Sequence, residues 1–192
     1  MFSEFSKGSI HLFINQFHSS IGDLLIPYLT WLGDGWFISI GCLIALFLNY
    51  RIALLLILAN TISSCITYFL KFQIYPDMDR PTEYFKNNMS LHLVPGVDIH
   101  SYFTFPSGHA TIAFATCTIF ATLSKSQLSK LGFFFLALFA GYTRVYLSQH
   151  FLNDVFAGAS IGTVTATFLL VWMEKFKQGT GRKWLERSLL RK

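Results

Sequence analysis

Arg144, His150 and Asp154 interrupt an otherwise apolar third of the chain, in the stretch YTRVYLSQHFLND at 142–154. His150 and Asp154 are four apart, so on a helix they share one face, a spacing that suits an imidazole held by a carboxylate. Arg144 lies six residues before His150, ahead of an expected bend between two apolar runs, and can reach the same point from a neighbouring helix. The bland alternative is that Arg144 snorkels, His150 is interfacial and Asp154 caps a helix start. Ionisable residues inside or at the ends of membrane spans are costly, which favours chemistry.

Two further clusters join them. Lys71 closes one apolar run and Arg80 follows in the next loop, while Pro106-Ser107-Gly108-His109 opens another run. Lys71, Arg80 and Arg144 are three fixed cations, a set that suits a compact polyanion, and the arginine fork matches phosphate oxygens. Ser107 and Gly108 at a helix start add free N–H groups and the positive end of the helix dipole, an anion cradle. With two histidines in an anion site, His150 can present Nε2 to phosphorus while Asp154 accepts from Nδ1–H. His109 can protonate the departing oxygen and then activate water against a phosphohistidine. Charge neutralisation by three cations and a helix end needs no metal or other cofactor.

The elements that must position these residues are membrane helices. Charged residues make up only 13% of the 192 residues and aromatics 17%, far from soluble composition. The apolar runs predict an all-α integral membrane protein of about five transmembrane helices: 36–50, 52–70, 106–124, 131–147 with Arg144 near its end, and 155–173. Ahead of them, 5–30 reads as an interfacial amphipathic helix with Ile10, Phe13, Ile14 and Phe17 on its apolar side, and with His11 and His18 solvated. The domain expectation is an interfacial segment 1–34, a membrane domain 35–173 with one large outer loop at 72–106, and a basic tail 174–192. Within that loop, Tyr84, Phe85, His92, Asp98 and His100 are expected to be solvated. Trp31 and Trp36 read as interface anchors. Cys42, Cys65 and Cys117 are scattered in apolar runs and read as small hydrophobes, without disulfide or metal spacing.

The net charge of +5 does not point to nucleic acid, because seven of the fifteen Lys and Arg residues lie in the tail after Met173. Such a tail reads as a cytoplasmic retention signal or a patch for anionic lipid headgroups. Across five spans, ten of the basic residues fall on the tail side and five on the other, three of the five being site candidates. The expectation is a multi-pass protein of a bacterial inner membrane, with the tail cytoplasmic and the site periplasmic. Gly158 and Gly162 form a small-xxx-small pair for close helix packing. A monomer is expected, a dimer through that face being the alternative.

These clusters resemble the signature of the type 2 phosphatidic acid phosphatase superfamily, membrane lipid phosphatases that share their pocket with vanadium haloperoxidases. PSGH at 106–109 matches the second motif, and Arg144, His150 and Asp154 meet the third at its spacing, with Thr143 in place of serine. The first motif departs: eight residues separate Lys71 from Arg80-Pro81 where the family has six. The resemblance covers roughly residues 35–172. It implies that Lys71, Arg80, Ser107, Gly108 and Arg144 hold phosphate, with His109 as acid, His150 as nucleophile and Asp154 as its orienting partner. The function it implies is hydrolysis of a lipid phosphomonoester or diphosphate: undecaprenyl diphosphate, phosphatidylglycerol phosphate, phosphatidate or lipid A. A non-catalytic lipid-phosphate binder or transporter is the alternative. Transport predicts broken central helices and polar residues at midplane, whereas the ionisable residues here gather at span ends.

Overall fold

The computed structural model describes residues 6–87, 91–98, 100–180 and 187–190, without the side chains of 32, 37, 48 and 177–180. Every regular element among them is helical: α1 (Lys7–Asn15), α2 (Ser20–Leu29), a 3-10 turn (Thr30–Gly33), α3 (Gly35–Leu48), α4 (Tyr50–Phe69) running into a π turn (Leu70–Ile74), the short α5 (Pro81–Tyr84), α6 (Gly108–Leu123), α7 (Gln127–Tyr146) and α8 (Leu152–Thr180). Starts are set by capping side chains: Ser6, Ser19, Ser107 and Ser126 accept N–H bonds at α1, α2, α6 and α7, and Asn49 does so at α4.

Among the described residues, three helices are long and apolar enough to cross a membrane: Tyr50–Ile74, Gln127–Tyr146 and Leu152–Phe176. The α3 and α6 helices, at 14 and 16 residues, are shorter than the ~20 that a full span takes. Apolar helices occupy all five of the expected runs, but among the described residues only three of them have the length of a span. α6 is the central one, packed against α4, α7 and α8. One end of the bundle is filled by an apolar cluster from α3, α4, α6 and α8, including Ala45, Leu55, Ile119 and Met173. Near that end Arg51 of α4 donates to Glu174 of α8 at 2.6 Å.

Lipid tails are as apolar as leucine, so helix association in a bilayer depends on close packing. The glycine pair of α8 supplies it within the chain. A Cβ at Gly158 would stand 2.3 Å from the Ser107 carbonyl oxygen, and one at Gly162 2.2 Å from that of Thr111. α4 is tied to α6 by Thr67 with Thr111 at 3.1 Å and by Asn60 with Thr116 at 3.1 Å.

Three features differ from the sequence reading. The amphipathic segment is two helices, broken after Asn15, and α1 turns its polar side inward: Gly8, His11 and Asn15 are buried while Phe13 and Phe17 are exposed. His11 is therefore no solvated residue; its Nε2 lies 3.2 Å from Ser148 Oγ, and its ring packs on Phe85 and Phe151. His18 is exposed, as expected. α8 passes through the proposed boundary at 173 and runs to Thr180. Of the rest of the basic tail, residues 181–186 and 191–192, with Arg182, Lys183, Arg191 and Lys192, lie outside the described residues. Arg187 and Leu189 return to the α3–α4 corner, where the Arg187 carbonyl accepts from Tyr50 N–H and the Leu189 N–H donates to the Leu46 carbonyl.

Candidate active site

The ends of α4, α6 and α7, the loop ahead of α5 and the α7–α8 link open on one cavity of about 530 Å³. Lys71, Arg80, Gly108, His109, Arg144 and His150 line it, together with Thr30, Asp34, Asp98, His100 and Gln149. Residues far apart in sequence thus meet because alternate ends of antiparallel helices fall on one side.

Lys71 arrives by way of the π turn. A π turn accommodates one more residue than an α turn and is frequent at functional sites, so part of the extra length in the first motif is taken up at Leu70–Ile74. Arg80 ends the intervening loop and is 8% exposed. Its Nε donates to Tyr102 O at 2.9 Å and its Nη1 to Gln149 Oε1 at 2.6 Å, while Gln149 Nε2 donates to Asp98 O at 2.6 Å. Burial lowers the Arg80 pKa from its ordinary value, and the Asp154 charge opposes the shift. Arg144 Nη1 donates to Thr30 Oγ1 at 2.8 Å, and Thr143 Oγ1 to the same oxygen at 3.1 Å. Arg144 Nε is buried with no protein partner.

Gly108 and His109 are the first two residues of α6, where backbone N–H groups have no acceptor within the helix. Ser107 is fully buried and is not among the residues lining the cavity; its Oγ caps α6 and its N–H donates to the Asp154 carbonyl at 3.0 Å. The cap therefore locks the start of α6 to the start of α8.

His150 and Asp154 do not share a helix face, because α8 begins only at Leu152 and His150 sits in the link before it. Their Nδ1 and Oδ2 atoms are 3.7 Å apart, too far for the direct hydrogen bond that the spacing suggested. Thr104 stands between them, its hydroxyl 3.3 Å from His150 Nδ1 and 2.5 Å from Asp154 Oδ2. Asp154 also accepts the Phe151 N–H at 2.8 Å, the reach-back of a third-position acid to its helix cap. Its capping and site readings are compatible. His150 is 2% exposed. Burial first, then the charges of Arg80, Lys71 and Arg144, hold its imidazole well below the ordinary histidine range. At neutral pH its imidazole is uncharged.

The link carrying His150 is held in place by residues the sequence reading missed. Ser148 has a φ of 52°, a left-handed conformation that non-glycine residues adopt at a cost. His11 Nε2 and Asn15 Nδ2 lie 3.2 and 3.4 Å from its hydroxyl. Thr104 carries no motif signal, and Thr30 reads as a residue of the first segment. Gln149 was discoverable as the neighbour of His150. Of the outer-loop residues, Asp98 and His100 line the cavity, Phe85 is buried, and Tyr84 is exposed.

The family model of the PAP2 superfamily matches residues 52–178. No curated protein sequence matches the chain. Among solved structures, Aquifex aeolicus LpxE is similar with a TM-score of 0.77 at 23% identity, covering 89% of this chain and 99% of that one. The first transmembrane PAP2 type phosphatidylglycerolphosphate phosphatase from Bacillus subtilis is similar with a TM-score of 0.70 at 22% identity, covering 92% of this chain and 87% of that one. At these identities the two structures speak to the fold. The family match spans most of the chain and takes in every residue of the three clusters, and on that ground the protein belongs to the PAP2 superfamily as a phosphatase of that type.

Proposed function

We propose that the protein removes phosphate from a lipid whose tail stays in the bilayer while its headgroup enters the cavity. The observation that carries this reading is the meeting of Lys71, Arg80, Arg144, His109 and His150 around one 530 Å³ space at one end of the helix bundle. Lys71, Arg80, Arg144 and the N–H groups of Gly108 and His109 hold the phosphate oxygens, with Ser107 fixing the helix start that presents them. His150 Nε2 attacks phosphorus as the phosphorus–oxygen bond to the lipid breaks, and His109 gives its proton to the leaving oxygen. Asp154 orients and balances His150 through Thr104. Water then loses a proton to His109 and attacks phosphorus, the nitrogen–phosphorus bond breaks, and inorganic phosphate leaves. No metal takes part in these steps.

A route for the tail supports a lipid over a soluble ester. Trp31 and Asp34 line both the charged cavity and an adjoining cleft of about 460 Å³ that continues along Trp36 and Ile40 of α3. Undecaprenyl diphosphate, phosphatidylglycerol phosphate, phosphatidate and lipid A all present the same phosphate to this site. Charge placement supports a site on the periplasmic face of a bacterial inner membrane, with the C-terminus in the cytoplasm.

The test is phosphate release by the full chain in detergent with EDTA, across those four lipids, for the intact protein and His150→Ala. The expected result is metal-independent release, at least ~10³-fold slower in His150→Ala, with one lipid preferred and an acid-labile phosphoenzyme in the intact protein alone. Full activity in His150→Ala would overturn the mechanism, and turnover of none of the four lipids would move the binder or transporter reading ahead. Because His150 is held below the usual histidine range, its neutral form persists into acid. The acid limb of kcat/KM is therefore expected below pH 6.5.

A further inference from the structure

A second cluster of ligating side chains lies outside the phosphate cavity and shares no lining residue with it. His18 leaves the break between α1 and α2, Asp23 sits in the first turn of α2, and His92 belongs to the outer loop. One ligand atom from each lies within 4.8 Å of the other two. His92 Nε2 is 3.0 Å from Asp23 Oδ2, and the imidazoles of His18 and His92 stack with centroids 3.8 Å apart and planes inclined by 10°.

The surroundings hold this donor set in place. The Asn15 carboxamide grips the His92 backbone at both ends, donating to its carbonyl at 2.9 Å and accepting its N–H at 2.8 Å. Tyr146 donates to Asp23 Oδ1 at 2.6 Å, which leaves Oδ2 turned toward the histidines. A carboxylate oriented by an outer hydroxyl, and a histidine fixed through its backbone, are the supports that ligand sets commonly have. Two imidazoles and one carboxylate suit zinc and its neighbours, and leave a fourth position for water. With metal bonds of ~2.0–2.1 Å, tetrahedral ligand atoms stand about 3.4 Å apart. The donor atoms lie within 4.8 Å of one another, and His18, exposed and stacked on His92, is the ligand that must turn to close that distance.

We propose that His18, Asp23 and His92 bind one divalent ion of the zinc class. The ion ties the α1–α2 corner to the outer loop, whose continuation at Gly96, Val97 and Asp98 forms the rim of the phosphate cavity. It is a fastening for that rim and takes no part in the reaction.

The experiment uses the full chain in detergent, stripped with EDTA, desalted and titrated with Co²⁺ and then Zn²⁺. Expected are one Co²⁺ per chain with the intense visible absorption of tetrahedral cobalt, its displacement by equimolar Zn²⁺, and a thermal midpoint raised by several degrees. His18→Ala, a change at an exposed position, should weaken binding at least tenfold and abolish the thermal shift. His150→Ala should bind cobalt as the intact protein does. Absence of stoichiometric tetrahedral cobalt overturns the proposal, and so does binding unaltered in His18→Ala or lost in His150→Ala. Failure of the phosphohistidine mechanism would leave the cobalt result untouched.

Discussion

α6 has two unlike sides. Toward α8 it is pressed against bare backbone, with Gly158 and Gly162 so close to the Ser107 and Thr111 carbonyls that a methyl group has no room. Toward α3 and α7 it leaves a void of about 360 Å³ lined by apolar and small residues such as Ile38, Gly41, Cys117 and Ala140. The closed side joins the helix starts that carry His109 and Asp154, and the proposed chemistry depends on placement within fractions of an ångström. The open side carries none of the proposed reacting groups. Tight packing is thus concentrated where the proposed mechanism needs register, and slack is left on an apolar side with room for the tail of the proposed substrate.

Between the two sides of α6, the larger effect is expected from breaking the closed one. Gly162→Val drives α8 away from α6 and shifts Asp154 against His109, so kcat should fall about 100-fold or more, with a lower thermal midpoint in detergent. α1 braces the link and the start of α8 next to that seam, through its buried His11. Burial lowers the His11 pKa to about 4, with the Asp154 charge opposing, whereas the unfolded residue titrates near 6.5. The folded state therefore keeps His11 neutral; its contribution is whole above pH 6.5 and is lost as pH falls toward 4, by up to ~3 kcal/mol. Midpoints measured across that range should fall with acid, and His11→Phe should flatten the slope.

On the open side, a Cβ on Gly41 meets nothing within 4 Å. Gly41→Phe fills the void without disturbing the seam. It should raise KM for a long-chain lipid phosphate by about tenfold and leave kcat on a short-chain, water-soluble phosphate unchanged; an equal loss on both would place the void outside the tail's path. The smallest effect belongs to Thr143→Ser, since either hydroxyl can stand within hydrogen-bond reach of Ala140 O and Thr30 Oγ1. Kinetics within about twofold of the intact protein are expected.

These two sides were not equally legible in the sequence. The Gly158–Gly162 spacing announced the seam, and charge at the ends of apolar runs announced which residues meet, because antiparallel helices put alternate ends together. Local spacing misled at His150 and Asp154, where four residues suggest one helix face, yet the helix starts between them and Thr104 joins them from another segment. The direction of α1 was lost for a different reason. Polarity says which residues share a side, but in a membrane protein the apolar side faces outward, and the pairing of His11 and Asn15 with Ser148 spans more than 130 positions. The added length after Lys71 was visible, but its partial absorption in a π turn depends on helical hydrogen bonding that no motif records.

Trp31 and Asp34 stand where the charged cavity meets the apolar cleft. Tryptophan favours the level of the lipid headgroups, and a junction of this kind at that level gauges how far the headgroup of the proposed substrate projects above the hydrocarbon. Carbons beyond the apolar cleft and the void along α3 stay in the bilayer. Substrates whose tails all outreach that space then look alike, and a bulky group attached beside the phosphate does not.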